Sequence, residues 1–193
     1  SGGDNLYQQV FPVSSWGKKF VTAPFYNTIN GSTDILRIMV SEDNTIINVN
    51  GSTTMANGTP LNNPYSKGSF VTFFSKTPAV IEADKPISVA QYQTSQTCNL
   101  SNTTNNNNAT FPGDPEITVL NPVEQTLSNI TVYSRLDGVA TNVNKFFINV
   151  IIKTVDAPTF RLDGNPIMGF VANTNVAYAY LLPIICYLVI LLF

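Results

Sequence analysis

The chain has 193 residues, a formal net charge of −2 and only 11% charged residues, enough length for one core or two small lobes but too polar for a membrane bundle. No Lys or Arg cluster exceeds Lys18-Lys19, so the dense phosphate contacts that nucleic acid demands are excluded. Histidine is absent, which removes the commonest general base near neutral pH and the commonest metal ligand; no catalytic residue, metal site or cofactor is expected.

In chain order, the opening "SGGDNLYQQ" shows no signal peptide and reads either as a chain whose leader has been removed or as an excised piece. Strand-like runs follow at short spacing: "KKFVTAPF" (18–25), "DILRIMVS" (34–41), "TIINVNG" (45–51), "SFVTFFS" (69–75), "AVIEA" (79–83) and "ISVAQYQT" (87–94). After an Asn-rich stretch come "EITVLNP" (116–122), "NITVYSR" (129–135), "KFFINVIIKT" (145–154) and "PTFRLDG" (158–164). β-Branched and aromatic residues dominate these runs, and Asn-Gly, Asp-Gly, Asp-Lys-Pro and Asn-Pro fall between them, where positive φ or a preset turn is needed. No window carries a helical apolar stripe with caps. The expected fold is all-β, an antiparallel β-sandwich, in one domain over 1–193 with two similar lobes at 5–97 and 111–193.

Those lobes are suggested by an internal echo. "ILRIMVSEDNTIINVNGSTTM" and "FINVIIKTVDAPTFRLDGNPIM" share an apolar strand, an acidic turn, a second strand, Asn/Asp-Gly and Met. Between the lobes, the Asn/Thr tract of 98–110 cannot bury apolar surface and reads as a loop.

Candidate chemistry weakens on inspection. "SWGK" (15–18) fits the S-x-x-K pattern of serine β-lactamases, which needs a helix to bring Ser and Lys together. Here Gly17 and a following strand put Ser15 and Lys18 on opposite faces. Asp114 and Glu116 lie two apart, whereas a glycosidase pair flanks its substrate from separate elements; turn and strand-entry roles fit them better. "SEDNT" (41–45) and "LDGN" (162–165) gather oxygens without calcium-loop spacing, and read as hairpin turns. Trp16, Tyr26, Tyr65 and Tyr92 are the candidate binding residues, as aromatic faces held out by a rigid sandwich, with a core role for Trp16 the alternative.

Cys98 and Cys186, the only cysteines, are candidates for a disulfide in an oxidising compartment, with two idle thiols as the alternative. The sequons at Asn30, Asn50, Asn57, Asn99, Asn102, Asn108 and Asn129 mark exposed surface. The tail "VAYAYLLPIICYLVILLF" (176–193) has the length of a membrane span, but Pro183 interrupts it and flanking cations are missing. A truncated pair of buried strands is the expectation, and a C-terminal membrane anchor the alternative.

Five stretches in order, "FPVSSWGKKFVTAPF", "DILRIMVSEDNTIINVNG", "ADKPISVAQYQTS", "GDPEITVLNPVEQT" and "APTFRLDGNPI", resemble the IgGFc-binding protein N-terminal domain family in its bacterial, Bacteroidetes-like form. The resemblance spans about residues 7–182, and "ICYLVILLF" departs from it. It implies an extracellular, non-enzymatic adhesion or recognition module of a larger secreted or cell-surface protein. Its ligand would be a protein or glycan, such as a mucin or host glycoprotein. Fc binding itself is tied to no motif that can be placed here. The alternatives are a structural spacer in a surface fibre, or a carbohydrate-active domain using Asp43, Asp114 or Asp137.

Overall fold

The computed structural model describes residues 6–25, 28, 33–55, 59–94, 115–131, 146–172 and 177–186. The chain divides into two compact units, 1–126 and 127–193. Every long element is a strand and every sheet pairing is antiparallel, giving the all-β, sandwich-like fold expected from the alternation.

The first unit is organised by one long strand. Its strands are β1 (Gly17–Val21), β2 (Asp34–Val40), β3 (Ile47–Val49), β4 (Phe70–Ser75), β5 (Val80–Gln93) and β6 (Glu116–Val119). The first half of β5 carries β1 on one edge and β3 on the other; the second half carries β6 and β2, and β4 lies outside β2. Ile87 is the pivot, opposite Gly17 on one side and Val40 on the other. Two separate strands at 79–83 and 87–94 are expected from the sequence; the structure makes them one. Asp84-Lys85-Pro86 forms a bulge, since β1 advances from Gly17 to Lys19 while β5 runs from Ile87 back to Glu82. Pro86 has no N–H to give a ladder, so the irregularity falls where a ladder bond could not form.

Alternation then sorts the side chains. Leu36, Ile38 and Val40 of β2, Phe73 of β4 and Ile81, Ile87 and Val89 of β5 join Phe20, Ile47, Val49, Met55 and Leu61 in one buried cluster. Each large member contributes about 1.5–3 kcal/mol by leaving water.

Polar clamps hold the loops to this core. At the bulge, Asp84 accepts from the Ile46 N–H (2.8 Å), Lys85 donates to the Asp43 carbonyl and Ser41 donates to the Pro86 carbonyl. The turn after β3 is built by Asn50 and Gly51, both at positive φ, and the Asn50 side-chain oxygen accepts from the Val80 N–H at 2.8 Å. A second clamp joins distant sequence. Gly17 lies so close to Pro122 that an added Cβ would stand 2.2 Å from the Pro122 Cβ. Beside it Glu124 accepts from the Lys18 N–H (3.2 Å), and Gln125 donates to the Ser15 carbonyl (2.9 Å). The segment 116–126, assigned by the sequence to a second lobe, thus belongs to the first unit, since β6 pairs with β5.

The second unit contains a sheet of three strands in the order β10-β11-β7, where β7 is Phe146–Lys153, β10 is Val171–Ala172 and β11 is Tyr178–Cys186. A small hairpin, β8 (Arg161–Leu162) and β9 (Asn165–Pro166), turns through Asp163 and Gly164 at positive φ. The turn repeats that of Asn50-Gly51, with Leu162 opposite Asn165 as Val49 is opposite Ser52. The echo stops at the hairpin: β3 pairs with β5, whereas β8 pairs only with β9 among the described residues. Residues 178–186 of the apolar tail form β11, with a register irregularity between Leu181 and Ile184 that includes Pro183; residues 187–193 lie outside the described residues. No helix among the described residues is long and apolar enough to cross a membrane.

Candidate functional site

One sheet face of the first unit is not a core face. The side chains of Ile35, Arg37 and Met39 on β2 point away from the core, as do Phe70, Thr72 and Phe74 on β4 and Ala90 and Tyr92 on β5. An outward sheet face in water is usually polar. This one leaves Phe70 61%, Phe74 67% and Met39 37% exposed.

Arg37 stands at its centre. Thr72 and Ala90 are its direct neighbours across the ladders, and Phe70 and Tyr92 are the diagonal ones. The guanidinium therefore lies against two rings, with its carbon 5.0 Å from the Phe70 centroid and 5.6 Å from that of Tyr92. Its Nε donates to the Thr72 hydroxyl at 3.0 Å. Each stacking contact contributes about 0.5–1 kcal/mol where exposed, and together they fix the plane of the fork. Among the described residues no carboxylate pairs with this guanidinium; the ion pair there joins Lys19 to Glu82 at 2.7 Å. A shallow depression of about 50 Å³ adjoins it, lined by Val10, Met39, Ala90, Tyr92, Ile117 and Val119. A second, of about 10 Å³, lies beside Trp16 and Ile87. Both are far below the ~300 Å³ at which small-molecule pockets begin, so the geometry suits a surface contact.

A buried polar cluster underlies the same strands. Asp34, the first residue of β2, is 2% exposed. Its carboxylate accepts from the Thr28 hydroxyl, the Phe25 N–H (3.1 Å) and the Gln91 side-chain amide (2.7 Å), which also donates to the Ala23 carbonyl. Burial pushes the Asp34 carboxyl above its ordinary value, and the three hydrogen bonds oppose that rise. The cluster has neutral donors only and anchors the chain leaving β1; it offers no second group for acid–base work.

Of the residues singled out from sequence, Tyr92 lies on the exposed face. Trp16 is half-buried, its indole N–H donates to the Phe11 carbonyl (2.9 Å), and it lines the small depression over Ile87. Tyr65 packs on the core and its hydroxyl accepts from the Asn62 N–H at 3.0 Å. Tyr26, Cys98, Asp114 and Asp137, and the side chain of Cys186, lie outside the described residues. Glu116 opens β6 and is exposed, while Asp43 accepts from the Lys67 N–H at 2.9 Å as a turn brace. Ser15 donates to the Pro12 carbonyl at 2.8 Å.

Sequence reasoning missed Arg37, Met39, Phe70 and Phe74. The signal was present: in "DILRIMV" and "SFVTFFS" the positions alternating with the core residues are themselves apolar or aromatic apart from Arg37 and Thr72.

The family model described as IgGFc binding protein matches residues 1–186. The chain belongs to the IgGFc-binding family. No curated protein and no solved structure gives a significant match. Membership points to binding rather than turnover. It also throws light on the motifs that carried the resemblance. Within this member of the family, Gly17, Asp84, Lys85, Gln91, Glu124 and Gln125 are clamps of the first unit, and the exposed Arg37 face lies apart from them.

Proposed function

We propose that the chain is an extracellular, non-catalytic recognition module whose first unit binds a protein partner through the outer face around Arg37. The observation behind this reading is a guanidinium within 5.0 and 5.6 Å of the Phe70 and Tyr92 ring centroids, with no carboxylate partner among the described residues. Arg and aromatic residues dominate binding hot spots because they give large contact area and directed charge with little ordering cost. The chemistry that complements this face is a carboxylate flanked by apolar side chains: the carboxylate takes the free edge of the guanidinium, and the apolar groups cover Phe70, Phe74 and Met39. The family description makes immunoglobulin Fc the first protein to test; a mucin glycoprotein, expected from the sequence resemblance alone, is the second.

The experiment is surface binding of the full chain to immobilised Fc and to purified mucin glycoprotein, with wild type compared with Arg37→Ala and Phe70→Ala. Either substitution is expected to weaken binding about tenfold or more, with Arg37→Lys recovering little because an ammonium cannot match the fork. Binding untouched by Arg37→Ala and Phe70→Ala would place recognition elsewhere. Absence of binding to both probes would favour a spacer role.

A further inference from the structure

The outer edge of β4 carries its own information. The Val40 N–H donates to the Ser69 carbonyl at 3.1 Å, in the same register that sets Met39 opposite Phe70. Antiparallel ladders alternate, so the backbone N–H and C=O groups of Val71, Phe73 and Ser75 face β2. Those of Phe70, Thr72 and Phe74 face away from it. β4 is the terminal strand of the path β1-β5-β2-β4, and no described residue hydrogen-bonds to that outer row. Exposed edges are usually blunted by an inward charge, a proline or a strong bulge. The run "FVTFFS" has no charge and no proline.

We infer that β4 is a self-pairing edge, which joins two copies of this chain antiparallel about a two-fold axis through Thr72. The sequence is self-complementary in that register. Thr72 meets Thr72 of the second copy, and Phe70 meets its Phe74. All three residues present outward backbone groups, so the opposed pairs exchange about six N–H···O bonds. Phe70 and Phe74 become a cross-strand aromatic pair, counted twice by symmetry. Lys76 falls opposite Gly68 and Lys67 opposite Thr77, so no like charges meet. The Arg37 side chains are separated by three inter-strand spacings, about 14 Å, beyond the reach of strong repulsion at physiological salt. The axis is perpendicular to the sheet, so both Arg37 faces point the same way. The product is one continuous eight-stranded path with a two-site face.

This inference stands on the edge of β4 and not on the proposed role of Arg37. The test is the mass of the full chain in solution, by sedimentation and light scattering over a wide concentration range. Wild type is expected to double its mass with rising concentration. Phe74→Pro removes an outward N–H and leaves the β2 ladder untouched, so it is expected to stay single at every concentration with an unchanged far-UV spectrum. Should proline disturb the strand, Phe70→Lys/Phe74→Lys gives the same outcome by setting lysines opposite each other. Arg37→Ala is expected to keep the doubling, which separates this test from the binding test above. A wild type that remains single at the highest concentration, a doubling that survives both edge variants, or open-ended assembly would overturn the inference.

Discussion

Asp34 shows how a buried carboxylate is held with no cation beside it among the described residues. Three neutral donors hold its carboxylate, yet burial still outweighs them and raises the folded-state value above the ordinary 3.8. The folded chain therefore binds this proton more tightly than the unfolded chain. Stability from this group is greatest below about pH 4 and falls as pH rises through the raised value. An asparagine in its place would keep the acceptor oxygen and carry no charge. The stability of Asp34→Asn relative to wild type, read from urea midpoints, is expected to be greater at pH 7 than at pH 3. A flat difference would show that Asp34 is not the titrating group. Asp34→Ala leaves the Phe25 N–H and the Gln91 amide without their acceptor and is expected to cost about 2–4 kcal/mol at low pH, a cost that shrinks as pH rises through the raised value. None of this was legible beforehand. "TDIL" reads as a turn acid before a strand, because the partners Thr28 and Gln91 approach Asp34 only in the folded chain. Trp16 and Tyr65 were opaque in the same way: the sequence does not show that the indole N–H and the phenol oxygen are each bound by local backbone.

At the scale of elements, strand existence was readable and strand identity less so. Runs 18–25, 34–41, 69–75 and 145–154 coincide with β1, β2, β4 and β7 because period-two burial leaves a direct trace in sequence. Runs 79–83 and 87–94 merged into β5, since Pro86 interrupts pairing without ending the strand. Run 158–164 kept only the two residues of β8. The clamp between β1 and residues 122–125 was out of reach, as nothing in "SWGK" or "NPVEQ" announces a neighbour a hundred residues away. It makes a sharp prediction. Gly17→Ala drives a methyl into the Pro122 ring and must push the 122–125 turn off β1, at a cost of about 1–3 kcal/mol. A thermal melt checks it, and a Gly17→Ala/Pro122→Gly double variant, which removes the ring atoms the methyl meets, is expected to regain part of the loss. An unchanged melting temperature would mean the two segments are not in contact.

For the whole molecule, the all-β class and the family followed from ordered motifs, while the outer face proposed for recognition did not. Motif residues stand where the backbone must be held, and recognition surfaces are free to sit on the alternate positions of the same strands. That division explains why Arg37, inside the quoted "DILRIMVSEDNTIINVNG", passed as a strand residue. The place of the lobe boundary was hard to read for a related reason. An Asn-rich tract looks like a boundary between domains, although the strand beyond it completes the sheet before it.

The clasp of Pro122, Glu124 and Gln125 on the opening strand also sets an order of events during synthesis. A nascent chain released at residue 97 would hold β1 to β5 yet lack the strand and turn that close over Ile87, so its interior would stay open to water. One carried on to residue 126 has every part of that closure. The shorter product is therefore expected to bind a dye for exposed apolar surface and to be cut rapidly by protease, and the longer one to resist both; equal behaviour of the two would show that the late-arriving turn is dispensable.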